Sequence, residues 1–139
     1  MREVKIEQIG YQLTWQIRHE IMYPDLPFDL IKLDDDDKGL HFGLSVDHQL
    51  TAVVSLFSDG DIYQFRKFAT LATAQGSGYG SSLLRHVISY TINSGGKQLW
   101  CNARLSALGF YERFGFVKSG EVFTKNNIDF VRMELNEII

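Results

Sequence analysis

The sequence holds a single cysteine, Cys101, among its 139 residues. One thiol forms no internal disulfide and cannot build a cysteine-rich zinc site. Such usage fits a reducing compartment. Proline is scarce as well: Pro24 and Pro27 are the only two, and they mark one place where a helix must stop. Basic residues do not prevail, since 14 Lys and Arg face 17 Asp and Glu, a net charge of −3. With no basic tail or stripe, a nucleic-acid footprint is excluded, and a phosphate-bearing ligand needs backbone amides as well as Lys or Arg. No apolar run reaches the roughly 18 residues of a membrane span, and Met1-Arg-Glu-Val-Lys-Ile-Glu7 lacks the apolar core of a secretory leader. The expectation is a soluble cytoplasmic protein, monomer or homodimer, with neither membrane nor nucleic acid as partner.

What is present is ordinary globular composition, 45% hydrophobic and 22% charged. The length suits one domain over residues 1–139, large enough to bury about 65–70% of its unfolded surface without disulfides. Val4–Ile6 alternates with charge and reads as a short strand. Residues 10–22 place Leu13, Ile17 and Ile21 at helical spacing. From Leu40 the period becomes two: Leu40–Val46, Thr51–Phe57 and Ile62–Thr70 read as an antiparallel meander, turned at Asp47-His48 and at the Asp59-Gly60 hairpin signal. A helix follows with Tyr79, Leu83, Leu84, Val87, Ile88 and Ile92 on one face, ended by Asn93-Ser-Gly-Gly96. Lys97–Cys101 is a short strand and Ser106–Phe114 a second helix. Phe116–Phe123 and Ile128–Leu135 are two more strands around an Asn126-Asn127 turn. The strand–helix–strand crossover favours parallel pairing. The fold class expected is α+β, a mixed, mostly antiparallel sheet of six to seven strands with helices on both faces.

Asp34–Asp37 is a run of four carboxylates. Its spacing does not match a calcium-binding EF-hand loop, and it reads as a solvated, mobile loop. His19, His41, His48 and His86 show no metal-ligand spacing, and no metal is expected.

Gln75-Gly76-Ser77-Gly78-Tyr79-Gly80 stands between a strand and a helix. Three glycines in five residues leave backbone amides uncovered, and the helix start adds unpaired N–H groups and a positive dipole end. This is an anion site suited to a pyrophosphate; the plainer reading is a glycine-rich turn. No Lys follows Gly80, so the loop is not a P-loop. A G-x-G-x-x-G dinucleotide fingerprint starting at Gly76 and Gly78 needs a glycine at position 81, which is Ser, and the preceding strand belongs to a hairpin.

Gln75-x-x-Gly78-x-Gly80 resembles the Q/R-x-x-G-x-G/A motif of the GNAT superfamily of acyl-CoA-dependent N-acetyltransferases. The preceding Arg66-Lys67-Phe68-Ala69-Thr70 resembles that family's fourth strand. Asn102 through Phe116, ending in Phe-Tyr111-Glu-Arg-Phe-Gly-Phe116, resembles its fifth-strand end and fourth helix. Together these cover residues 62–117, and the strand order extends the likeness over nearly the whole chain. Arg18 to Pro24 and the segment from Gly120 to Met133 are similar to the ElaA-like branch.

The resemblance implies acetyl-CoA as cosubstrate, lying between the fourth and fifth strands, its pantetheine arm added to the fourth strand by main-chain hydrogen bonds. Phe68, Ala69 and Thr70 would face the arm, with the Phe68 amide polarising the thioester carbonyl. Gln75, Gly76, Ser77, Gly78, Tyr79, Gly80 and Ser81 would form the pyrophosphate loop. Tyr111 matches the tyrosine that protonates the leaving sulfur. The family's asparagine often lies seven residues before that tyrosine; here Arg104 holds that place and Asn102 lies nine before, so either contacts the cosubstrate. Direct acyl transfer to an amine of a small molecule or peptide follows. The alternative is a non-catalytic acyl-CoA-binding regulatory module. Glu20, His19, His41 and, through a water, Asp29 are candidate general bases, and a water chain with no single base is the other option. Cys101, ending an apolar strand, reads as a buried inert thiol rather than a nucleophile. The acceptor is chosen by the first helix, residues 23–39 and the turn near Asn126.

Overall fold

Alternating apolar residues become seven strands: β1 (Val4–Ile9), β2 (Leu40–Val46), β3 (Gln49–Asp59), β4 (Ile62–Thr70), β5 (Gln98–Arg104), β6 (Val117–Lys125) and β7 (Ile128–Asn136). They are seen in a computed structural model that describes residues 2–136. The strands hydrogen-bond in the order β1-β2-β3-β4-β5-β7-β6. The β4–β5 pair is parallel, and β1–β2, β2–β3, β5–β7 and β6–β7 are antiparallel. The expected mixed sheet is therefore present, with seven strands. By contact density the chain divides into two compact units, Met1–Phe57 with Phe65–Tyr90, and Ser58–Gln64 with Thr91–Ile139.

In the first unit β3 carries an unbroken buried run from Thr51 to Leu56. A strand so buried must be covered on both faces, because successive side chains alternate. Phe42, on β2, packs its ring on His86 and Tyr90 at 5.0 and 5.3 Å. Those residues belong to α2 (Tyr79–Asn93). Val53 instead packs with Ile17 and Ala69, surrounded by Ile9, Ile21, Met22, Leu50 and Leu71. In the β2–β3 register Phe42 opposes Val54 and Gly43 opposes Val53. The two helical segments therefore cover opposite faces of β2–β3. Leu83, Leu84 and Val87 of α2 are fully buried, each contributing about 1.5–3 kcal/mol of apolar burial.

The segment expected as one helix over residues 10–22 is not regular. A 3-10 turn (Tyr11–Thr14) leads into a single α turn, α1 (Trp15–Ile17), and then a π turn (Arg18–Met22). Leu13 is 58% exposed, whereas Ile17 is buried. The π turn is where Arg18 swings inward to a carboxylate, described below. The first strand extends to Ile9, beyond the expected Ile6, because Glu7, Gln8 and Ile9 pair with Gly43, Phe42 and His41.

In the second unit β5 runs on to Arg104 rather than stopping at Cys101, since Asn102, Ala103 and Arg104 pair with Arg132, Val131 and Phe130. Leu99, Cys101 and Ala103 alternate inward, with Cys101 and Ala103 opposite the buried Met133 and Val131. The helix expected over Ser106–Phe114 is a 3-10 turn (Leu105–Ala107) followed by α3 (Leu108–Glu112). Gly115, at φ +94°, ends it, and the Phe114 and Phe116 amides both donate to the Tyr111 carbonyl. Asn126 and Asn127, both left-handed, make the β6–β7 turn, as a two-residue hairpin loop requires.

Candidate active site

The glycine loop belongs to the first unit. It leaves β4 through a 3-10 turn (Ala72–Ala74). The Leu71 amide donates to the Thr51 carbonyl at 2.9 Å, and the Gln75 side chain donates from Nε2 to the Thr70 carbonyl at 3.0 Å. Gln75 is thus a clip that folds the loop back on the end of β4. Gly76 and Gly78 lie at φ +84° and +83°, a backbone conformation L side chains rarely adopt, and a Cβ on either would meet open space. Gly78 caps α2: its carbonyl accepts from the Ser82 amide at 3.1 Å and the Ser82 hydroxyl at 3.2 Å. The amides of Tyr79, Gly80 and Ser81 come next, in the first turn, where no intrahelical acceptor exists. No acidic side chain sits in that turn, so nothing in it competes with an anion. Gln75, Gly76, Ser77 and Gly78 are exposed. Beside the loop lies an open polar cleft of about 610 Å³, lined by Arg2, Asp47, Gln49, Thr73, Ser77 and Tyr79 among others. Phe68 and Thr70 are half-buried, and the Ala69 methyl is in the core with Ile17 and Val53.

Tyr111, Asn102 and Arg104 belong to the second unit. Tyr111 is buried on α3, its ring edge-on to Phe110 at 5.2 Å and to Phe116 at 5.8 Å. Burial pushes the phenol above its ordinary value; the Cys101 thiol adds to the rise, and Arg104 opposes it. A phenol keeps its proton at neutral pH in any case, and burial holds it there more firmly. Arg104 is half-buried at the end of β5, near enough to act on that phenol, whereas Asn102 is exposed. Cys101 is 3% exposed, and burial pushes its thiol up to about 12. It is inert, as its place on an apolar strand implies.

The acidic run departs most from expectation. Asp36 is not solvated: it is 2% exposed and pairs with Arg18, itself fully buried. Arg18 Nη1 donates to Asp36 Oδ2 at 2.9 Å and to the Ile31 carbonyl at 3.1 Å; Nη2 donates to Asp36 Oδ1 and Ser55 Oγ, both at 3.1 Å. The Leu33 amide and the Trp15 indole also donate to Oδ2. Burial alone would raise the Asp36 carboxyl, but the donors from Arg18, Leu33 and Trp15 together hold it below the usual carboxylate range. His41 closes the network. Its Nε2 meets the Asp36 carbonyl and its Nδ1 meets Ser55 Oγ, each at 2.7 Å. A carbonyl only accepts, so Nε2 carries the hydrogen; Ser55, which accepts from Arg18, donates to Nδ1. Both His41 nitrogens are thus engaged within the fold.

Of the other base candidates, His19 Nε2 bonds the Leu26 carbonyl at 2.7 Å, Glu20 is exposed, and Asp29 pairs with Lys32 at 3.2 Å. Among the described residues no three His, Cys, Asp or Glu side chains cluster as a metal site, and no helix is long and apolar enough to cross a membrane.

The family model described as "Acetyltransferase (GNAT) domain" matches residues 19–137. The chain belongs to the GNAT acetyltransferase family. It is similar to the uncharacterized N-acetyltransferase YitI of Bacillus subtilis (strain 168), 29% identical over 129 residues, covering 86% of this chain and 87% of that one. The ribosomal-protein-S18-alanine N-acetyltransferase from Escherichia coli shares the fold, with a TM-score of 0.81 at 18% identity over 97% of this chain and 94% of that one. So does a GNAT family acetyltransferase from Elizabethkingia anophelis with acetyl-CoA bound, with a TM-score of 0.74 at 18% identity over 96% and 97%. As a GNAT-type N-acetyltransferase the chain is an acyltransferase, and GNAT acetyltransferases act on amines. The buried Arg18–Asp36 pair had no spacing signal in the GNAT-like sequence. Its partners come from a helical turn and an acidic loop, and nothing local marks which of four aspartates turns inward.

Proposed function

We propose that residues 1–139 form one N-acetyltransferase domain that moves the acetyl group of acetyl-CoA directly to an amine of a small molecule or peptide. The observation that carries this reading is the loop from Gln75 to Ser81. Its two left-handed glycines lead exposed backbone into the start of α2, whose first turn carries no carboxylate. Helix-start amides favour a pyrophosphate, which explains how a chain of net charge −3 can take a strongly anionic cosubstrate. Acetyl-CoA supplies the activated acyl thioester; a relative of the same fold is known with acetyl-CoA bound.

In this reading Phe68, Ala69 and Thr70 offer main-chain groups to the pantetheine arm, and the Phe68 amide polarises the carbonyl. The Ala69 side chain is in the core, so only its backbone can serve. Tyr111, whose phenol carries its proton at neutral pH, gives that proton to the departing sulfur. Arg104, which acts on the Tyr111 phenol, is the better candidate than exposed Asn102 for a contact near the thiol end. The incoming amine loses its proton to water rather than to His41, whose nitrogens are both bonded. A peptide amine stays among the acceptors because one structural neighbour is named for acting on a protein alanine.

Isothermal titration of acetyl-CoA into the purified protein, with CoA and ATP as controls, tests the reading. Saturable binding absent for ATP, followed by turnover on an amine panel, is expected. Binding without turnover on any amine would favour the non-catalytic acyl-CoA-binding module instead. No binding by the folded protein would overturn the acetyl-CoA assignment.

A further inference from the structure

Lys67, in the middle of β4, has φ +56°. A lysine in this region is uncommon. The rings of Phe65 and Phe68 lie 6.0 Å apart, edge to face, although side chains three residues apart in a regular strand face opposite ways. Lys67 therefore breaks the alternation, as a bulge does. The break has a consequence for its neighbour. Arg66 and Lys67 are consecutive, yet both reach the connection formed by residues 23–39. Arg66 Nη1 meets the Asp35 carboxylate at 3.1 and 3.2 Å, and its guanidinium stacks over Phe57 at 4.2 Å. The Lys67 ammonium donates to the Tyr23 hydroxyl and sits 4.6 Å from that ring's centroid. Tyr23 stands at the start of the connection and Asp35 near its end. Next to Asp35, Asp36 is held by Arg18. Between these anchors Leu26, Phe28 and Leu30 are exposed.

We infer that Arg66 and Lys67 are positioning residues: the left-handed Lys67 lets two adjacent cations of β4 clasp both ends of the 23–39 connection, seating it against the strand that goes on to Phe68–Thr70. This rests on the acetyltransferase reading, in which that strand carries the thioester arm and the connection faces the amine. Cation–π contact and a hydrogen bond at one site make the Lys67 end specific for a tyrosine and a long cationic side chain. An extended residue at 67 would send its side chain to the other face and leave Tyr23 unheld.

The experiment compares wild type, Lys67→Met, Lys67→Arg, Tyr23→Phe and the Lys67→Met/Tyr23→Phe double variant, all as full chains. Three readouts are taken: hydrogen exchange of amides 23–39, acetyl-CoA affinity by titration, and KM and kcat on tyramine, spermidine and an alanine-starting peptide as probe amines. In Lys67→Met, exchange across 23–39 is expected to quicken about tenfold, and the KM of whichever amine is used to rise about as much, while acetyl-CoA affinity stays within about twofold. Lys67→Arg restores both values, and the double variant is no worse than Lys67→Met. Unchanged exchange and KM in folded Lys67→Met and Tyr23→Phe would overturn the clasp, as would a KM rise that Lys67→Arg does not relieve. If wild type binds no acetyl-CoA, the acetyltransferase reading falls, and the exchange comparison alone decides whether the clasp exists.

Discussion

Arg18 and Asp36 hold each other through two parallel hydrogen bonds, 2.9 and 3.1 Å long, with side chains 0% and 3% exposed. Removing one member strands the other. Asp36→Ala is expected to cost about 3–5 kcal/mol, because a buried guanidinium loses its counter-charge. Arg18→Met with Asp36→Leu is expected to cost markedly less than either single change. Urea unfolding of the three variants checks this; equal costs for single and double variants would remove the pair from the stability account.

The same carboxylate sets an acid limit. Its folded pKa is depressed, so its contribution is complete above the unfolded carboxylate value of about 3.9 and is lost as pH falls through the folded one. Thermal midpoints of wild type should therefore drop more steeply below about pH 4 than those of the Arg18→Met/Asp36→Leu variant.

Gly78→Asp is expected to abolish acetyl-CoA binding. It puts a side chain at φ +83°, and it places a like charge beside the amides meant for pyrophosphate. Gly78→Asn separates the two effects, since Asn has the same shape as Asp and a like tolerance of the left-handed region but no charge. Titration should show Asn losing only several-fold and Asp losing about a hundredfold or more, an electrostatic difference of about 2 kcal/mol.

Tyr111→Phe keeps the ring contacts to Phe110 and Phe116 and deletes only the hydroxyl. A drop of about 10²–10⁴ in kcat is expected, with thermal midpoint and acetyl-CoA affinity near wild type. A folded variant with full turnover would remove Tyr111 as the acid.

Cys101, with its thiol pushed up to about 12, should resist a thiol-titrating disulfide reagent at pH 8 until the protein is unfolded. Cys101→Ala should retain activity, which an acetyl-cysteine intermediate would forbid.

What could be read from the sequence is what neighbouring residues decide. The Leu83–Ile92 stripe, the Asp59-Gly60 and Asn126-Asn127 turns and the Gln75–Gly80 loop each need only a local pattern, and each is present. β4 has the bounds its alternation implied, Ile62–Thr70. The remainder depends on partners far along the chain. Nothing near Asp36 announces Arg18, eighteen residues earlier, so an acidic run looked like a solvated loop. The irregular 11–22 segment follows from the same pair, because a regular helix is what its apolar spacing alone supports. The left-handed Lys67 was hidden too, since β-branched and aromatic residues around it read as an unbroken strand.

That one dihedral also sets stability against use. Lysine at φ +56° is strained where glycine would not be, and relieving such a conformation is worth about 1 kcal/mol. Lys67→Gly gains that relief but gives back about 0.5–1 kcal/mol in chain entropy and loses the hold on Tyr23, so a screen for heat resistance alone should find the change close to neutral. Lineages with no need to seat the 23–39 connection would then drift freely at this site, and those that need it would keep the cation.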